Sequence, residues 1–125
     1  MALPEIIRAT NRRKTATIAQ AMLDGKLSII EGSRQLASLR SRAEIDDFDP
    51  DFLPFVGIDS ETDSFPIGNV RRYWAKESLF FQDIKIAAAE AHFREYALSA
   101  CRRTVARFGN EKPLPEDYNY YTPEE

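Results

Sequence analysis

The residues best suited to chemistry form a run of alternating carboxylates. Asp59, Glu61 and Asp63 are separated by single hydroxyl residues. Such spacing is typical of calcium loops, which place oxygen ligands at positions 1, 3 and 5, glycine at 6 and a bidentate glutamate at 12. Counted from Asp59, the sixth position is Ser64 and the twelfth is Val70, so the run departs from this pattern twice. We therefore predict that the chain has no metal site and no cofactor.

Three other interpretations of this run stay open. The Asp, Ser and Thr side chains satisfy backbone N–H groups in turns. Alternatively, the carboxylates form a contact surface for a basic partner. The third interpretation is a small helical metal-dependent hydrolase that uses the carboxylates of residues 59–63. Hydrolysis catalysed by a pair of carboxyl groups needs two acids placed across a cleft, and the sequence does not single out such a pair.

Candidates for nucleophilic catalysis are few. His92 is the sole histidine and lies in the middle of a predicted helix, and Cys101 is the sole cysteine and lies on an apolar helical stripe. Neither Gly-x-Gly-x-x-Gly nor the lysine-containing phosphate loop occurs. We predict no catalytic residues and a protein that is not an enzyme.

Charge is distributed unevenly along the chain. Residues 43–70 contain eight Asp or Glu and no Lys or Arg, whereas residues 1–42 carry eight Lys or Arg and three Asp or Glu. We expect Arg71 and Arg72, which follow the acidic segment, to neutralise part of it. The segment predicts a partner-binding surface made of Asp46, Asp47, Asp49, Asp51, Asp59, Glu61 and Asp63, with Phe48 and Phe52 as apolar anchors.

The sequence predicts one all-α domain, a helical bundle spanning residues 1–125, and its single cysteine favours the cytoplasm. The chain has 125 residues, of which 43% are hydrophobic and 30% charged. We find no apolar run of the length that a signal peptide or a membrane span needs. Membrane and nucleic acid are not expected as partners, the latter because the acidic segment would repel phosphates.

The first 42 residues predict an antiparallel helical hairpin. One helix runs from about Pro4 to Leu23, with residues 11–14 either an exposed face or a break, and Asp24-Gly25 ends it. Ser28 and Glu31 fit a capping box that begins a second helix, which reaches about residue 42. Gly32 lies on the apolar stripe of this helix, which is tolerable where another helix crosses closely.

Residues 43–70 read as a long ordered connection because Pro and Gly punctuate them. Their aromatic side chains are expected to turn inward, and residues 49–51 to begin a short helical turn. Residues 110–125 are either a flexible tail or an arm anchored through tyrosines at 118, 120 and 121.

The longest uninterrupted helical pattern spans residues 76–108, about 50 Å, with a kink or break allowed for. It carries two apolar stripes, which indicates contact with more than one neighbour. The second stripe, Leu79, Ile86 and Phe93, would be the dimer face if the protein is instead a homo-oligomeric structural protein. Glu90 and Arg94 are expected to pair along the helix. The first stripe contains Phe80, Ile84, Ala87, Ala91, Leu98, Cys101, Val105 and Phe108.

Three stretches together resemble a bacterial family of small helical proteins. They are residues 22–36 (MLDGKLSIIEGSRQL), residues 57–68 (GIDSETDSFPIG) and Trp74, and the resemblance covers roughly residues 20–108. The family looks like the cytoplasmic proteins encoded beside toxins of contact-dependent growth inhibition and related polymorphic systems. The resemblance implies an immunity protein, which binds and neutralises a basic toxin domain such as a nuclease.

Overall fold

The computed structural model describes residues 4–112, and all regular elements in that part of the chain are helical. They are α1 (Glu5–Leu23), α2 (Ile29–Leu39), α3 (Leu53–Thr62) and α4 (Lys76–Phe108), with 3₁₀ helices at Ser41–Ala43 and Gly68–Tyr73. The all-α helical bundle predicted from the sequence is confirmed. The prediction of a tail or a tyrosine-anchored arm falls on residues 113–125, which lie outside the described residues.

The N-terminal hairpin forms as predicted because strong start and stop signals flank it. Gly25 takes a left-handed conformation (φ 74°) after α1, and the Ser28 hydroxyl accepts a 3.0 Å hydrogen bond from the Glu31 N–H to begin α2. Helix α2 ends at Leu39 rather than near residue 42, and a 3₁₀ turn follows it.

The polar middle of α1 is continuous helix and holds the end of the hairpin. Asn11 donates to the Arg42 carbonyl at 2.8 Å, and Arg12 donates to the carbonyls of Ala43 and Glu44 at 2.9 and 3.1 Å. Carbonyl groups at a helix end lack intrahelical partners. Asn11 and Arg12 of α1 therefore satisfy backbone carbonyl groups just beyond the end of α2.

The predicted long connection contains a helix. Asp49 begins the turn that leads into it: its carbonyl accepts from the Leu53 N–H at 3.0 Å, and its carboxylate accepts from the Asp51 N–H at 2.9 Å. Pro54 lies in the first turn of α3, where proline favours a helix rather than breaking it. The loop prediction was wrong for residues 53–62, whereas the helical turn at Asp49 is confirmed.

One core joins α1, α2, α3 and the C-terminal half of α4. Its centre includes the two aromatic side chains Phe52 and Phe55, which pack edge to face with ring centres 5.5 Å apart. The inward turn of the aromatics of residues 43–70 is thus confirmed for these two. The buried α4 side chains are Ala97, Ala100, Cys101, Thr104 and Phe108.

Helix α4 has the predicted bounds and runs unbroken, but its N-terminal half lies largely outside this core. Phe80, Phe81 and Ile84 are 64, 63 and 57% exposed. The second stripe, expected as a dimer face, is half-buried instead, and Phe93 packs against the core. The first stripe is therefore the uncovered one in this half of the helix.

Glu90 ties the two halves of the molecule together. Its carboxylate accepts hydrogen bonds from the backbone N–H groups of Ile29 and Ile30 at 2.9 and 3.0 Å. A carboxylate at a helix N-terminus satisfies unpaired donors and interacts favourably with the helix dipole. The side chain caps α2, and this contact replaces the expected pair with Arg94.

Gly32 and Gly57 provide a matched pair of tests for helix packing. An alanine Cβ at residue 32 would overlap the Met22 side chain, whereas nothing lies within 4 Å of one at residue 57. We expect Gly32→Ala to destabilise the fold by about 1–2 kcal/mol, because overpacking exceeds the gain in helix propensity.

Gly57→Ala serves as the control, and its helix propensity should stabilise the fold by about 0.5–1 kcal/mol. Urea unfolding followed by circular dichroism measures both. Equal effects of the two substitutions would contradict the close crossing of α1 and α2.

Candidate protein-binding surface

Folding divides the predicted acidic surface into two groups at opposite ends of α3. Residues 46–51 precede the helix, and residues 59–63 form its last turn and the residue after it. A helix of 10 residues is about 15 Å long. The seven carboxylates are consequently not one continuous surface.

Asp49 and Asp51 are structural. Arg107 lies 2.7 Å from the Asp49 carboxylate and 3.1 Å from that of Asp51, and Arg103 lies 3.1 Å from Asp51. Burial lowers the pKa of Arg107, but its hydrogen bonds and charge attraction to both aspartates outweigh burial and raise that pKa. These ion pairs fasten the start of α3 to the end of α4.

Phe52 is not available as an anchor for a partner. Its side chain is fully buried and packs edge to face against Phe55 and Phe108. The prediction for Phe52 is therefore wrong. Phe52, Phe55 and Ile58 recur every third residue and are buried together, because α3 turns one face into the core.

Phe48 has the opposite environment. It is 80% exposed on a tight turn closed by a 3.1 Å bond from the Asp49 N–H to the Asp46 carbonyl. The Asp46 carboxylate accepts from the Phe48 N–H at 2.8 Å, which fixes the turn further. Arg40 donates to the Asp47 carbonyl at 3.0 Å and lies 3.7 Å from its carboxylate. We call residues 46–48 the acidic turn.

At the far end of α3, Arg34 of α2 organises the chain. It donates to the carbonyls of Thr62 and Phe65 and lies 3.9 Å from the Asp59 carboxylate. Glu61 and Asp63 are exposed and make no ion pair with residues 4–112. Within the described chain, this end offers two free carboxylates but no aromatic anchor comparable to Phe48.

The helical conformation also disperses the alternating carboxylates. Residues two apart on a helix point about 200° apart, so Glu61 faces away from Asp59. Across residues 4–112, no group of three or more His, Cys, Asp or Glu side chains is placed to hold a metal ion. The alternative of a metal-dependent hydrolase therefore has no ligand set in this part of the chain.

The arginines that follow the acidic segment do not pair with its carboxylates. Arg71 binds Asp83 of α4 through two hydrogen bonds of 2.8 and 2.9 Å, and the guanidinium of Arg72 lies over the Tyr73 ring. The Arg71 hydrogen bond lowers the pKa of the Asp83 carboxyl below its ordinary value. This pair fixes the second 3₁₀ helix to the start of α4.

The two candidate catalytic side chains have different environments. Cys101 is fully buried, with its Sγ 3.6 Å from the Met22 Sδ, and burial raises the pKa of its thiol to about 12, although Arg102 opposes the shift. A nucleophilic cysteine needs a lowered pKa and access to solvent. His92 is exposed, and its ring lies edge to face against that of Phe93, with the ring centres 4.8 Å apart.

None of the described helices is long and apolar enough to cross a membrane. No protein-family model, curated protein or solved structure gives a significant match to the chain. The resemblance to immunity proteins therefore stays a prediction.

Two surface features of the structure are not predicted by the sequence. One is that Phe48 stays exposed while the carboxylates that follow it, Asp49 and Asp51, are paired with arginines distant in the sequence. The other is the exposure of Phe80, Phe81 and Ile84. The wide apolar surface of the long helix was a usable signal, because two stripes exceed what the short preceding helices can cover.

Asp49→Ala tests the structural role of the paired carboxylates. It removes both the acceptor for the Asp51 N–H in the turn before α3 and the ion pair with Arg107, so we expect a loss of about 1–2 kcal/mol in the free energy of unfolding. Asp63→Ala is the control, and its effect should stay within about 0.5 kcal/mol. Urea titrations measure the free energy of unfolding of both variants. Equal losses would contradict the distinction between paired, structural carboxylates and free ones.

Cys101→Ala tests the burial of the thiol. The unfolded thiol ionises near its ordinary pKa of 9.0, whereas the folded one ionises at about 12, so its contribution to stability is complete below pH 9 and declines as pH rises toward 12. The stability advantage of the unmodified chain over the variant should shrink by roughly 1 kcal/mol between about pH 8 and 10. Urea unfolding at each pH measures the difference, and a constant gap would contradict the raised pKa.

Proposed function

We propose that this protein is a non-enzymatic protein-binding module that uses the acidic turn as its contact site. The observation that carries the proposal is Phe48, an aromatic side chain 80% exposed on a backbone turn held by three hydrogen bonds. Large aromatic side chains that become buried at interfaces supply much of the binding energy. A rigid turn reduces the entropy lost when such a side chain is fixed in a complex.

The charges around Phe48 favour a basic partner. Asp46 is exposed and makes no ion pair with residues 4–112, while Asp47 keeps a largely exposed carboxylate beside Arg40. Exposed charges of one sign accelerate association and select against partners of the same sign. Because Arg107 already binds Asp49, the attraction at this turn comes mainly from Asp46 and Asp47.

The most concrete form of the proposal is immunity to a toxin. It is supported by the resemblance of residues 22–36 and 57–68 to a family that looks like toxin-neutralising proteins. Many toxins of this kind are nucleases with basic clefts, and an acidic turn with a central aromatic would enter such a cleft and exclude the nucleic acid. In this proposal Phe48 fills an apolar pocket while Asp46 and Asp47 contact cationic side chains.

Substitution of Phe48 tests the contact site. In the immunity form of the proposal, a neighbouring gene encodes the toxin domain. That candidate domain is produced in cells with and without this chain, and growth and the dissociation constant of the purified pair are measured. Phe48→Ala should weaken binding at least tenfold through loss of the buried aromatic. Asp46→Lys with Asp47→Lys should slow association and reduce its dependence on salt.

The matched control reverses the charges at the far end of α3. Glu61→Lys with Asp63→Lys changes the net charge equally but lies away from Phe48, so we expect affinity to stay within about threefold. Circular dichroism verifies that each variant folds. If Phe48→Ala binds as tightly as the unmodified chain, the acidic turn is not the interface, and if the chain fails to restore growth, the immunity form is wrong.

A further inference from the structure

The N-terminal half of α4 presents an apolar surface that nothing in residues 4–112 covers. Phe80, Phe81 and Ile84 expose about three-fifths of their area, and their two phenylalanine rings lie edge to face at 5.5 Å. Tyr73 and Trp74, just before the helix, are also exposed. Exposed apolar side chains gathered in one place mark an interaction site rather than ordinary surface.

Part of this surface has the spacing of a two-helix contact. Six exposed positions follow one another at alternating intervals of three and four residues, the repeat that keeps a straight seam along a helix. The outermost two are charged and the inner four are apolar. We call these positions the α4 seam: Glu77, Phe80, Ile84, Ala87, Ala91 and Arg94.

We propose that the α4 seam binds the same seam of a second copy of this chain, antiparallel, about a twofold axis between Ile84 and Ala87. This register places Phe80 opposite Ala91 of the second copy and Ile84 opposite Ala87 of the second copy. The proposal is independent of the acidic turn, and it replaces the dimer face expected from the second stripe.

Size complementarity supports the antiparallel direction. The large side chains, Phe80 and Ile84, stand at one end of the seam, and the two alanines stand at the other. An antiparallel pair sets each large group against a small one, which allows close packing without voids. A parallel pair would oppose Phe80 to Phe80 and Ala91 to Ala91, leaving one end crowded and the other with a gap.

Charge complementarity supports the same register. Glu77 and Arg94 lie equally far from the proposed axis, so each faces its opposite charge on the second copy. In a parallel pair, glutamate would face glutamate and arginine would face arginine, which is destabilising. The acidic groups beside the seam are already satisfied: Asp83 binds Arg71 and Glu90 caps α2.

The seam itself offers a small apolar area. Phe80 exposes about 130 Å², since an aromatic side chain offers roughly 150–250 Å², and Ile84, Ala87 and Ala91 add to it. This is below the roughly 800 Å² per partner of a standard interface, so we expect a weak dimer that forms only at high concentration.

Charge exchange provides the first test. Sedimentation equilibrium of the full chain should show a concentration-dependent dimer. Glu77→Arg and Arg94→Glu should each raise the dimer dissociation constant at least tenfold, since like charges then meet at both ends. The double variant should recover most of the affinity, and Lys85→Glu, on the same helix but off the seam, should change it less than threefold.

Disulfide trapping provides the second test, with copper phenanthroline as the oxidant. A mixture of Phe80→Cys and Ala91→Cys chains should form a covalent heterodimer, whereas neither variant alone should cross-link. Cross-linking of Phe80→Cys with itself would indicate a parallel pair and overturn the proposal. A chain that stays monomeric at high micromolar concentration also overturns the proposal. This holds even if a different protein is found to bind the seam.

Discussion

Helix length is the constraint on which the rest of this structure depends. The 33 residues of α4 reach about 50 Å, whereas the 19 of α1 reach about 28 Å and the 11 of α2 about 16 Å. The bundle is therefore complete only around the C-terminal half of α4. The other half is held at isolated points, by Glu90 at α2 and by Arg71 at Asp83, and its outer side keeps its apolar residues in solvent.

In the folded chain, most of the carboxylates of the acidic segment lie in ion pairs with arginines from other parts of the sequence. Arg34 of α2 pairs with Asp59, and Arg40, just after α2, pairs with Asp47. The arginines of the last turns of α4 pair with Asp49 and Asp51. The basic and acidic parts of the chain thus bind each other. A partner would meet local features, above all one aromatic on one turn, rather than a broad negative surface.

The helices that the sequence predicts best are those with local signals. The bounds of α4 follow from the absence of Pro and Gly over 33 residues, and the start of α2 follows from Ser28 and Glu31. Helix α3 was missed because Pro54 and Gly57 suggest a loop, although proline suits a first turn and Gly57 is merely tolerated. The site was predicted less well, because whether Phe48 is exposed and Phe52 buried depends on contacts with Phe108 and Arg107, more than fifty residues away.

The hydrogen bonds of Arg107 determine where a dimer would carry its two acidic turns. They hold the start of α3, and with it the acidic turn, at the last turn of α4. Two chains joined at the α4 seam would carry their acidic turns about 65 Å apart, at the two far ends of the assembly. That separation is larger than a small domain, so one partner domain cannot contact both turns. Such a dimer would bind two partner molecules independently, or gain avidity on a partner that is itself paired at a similar spacing.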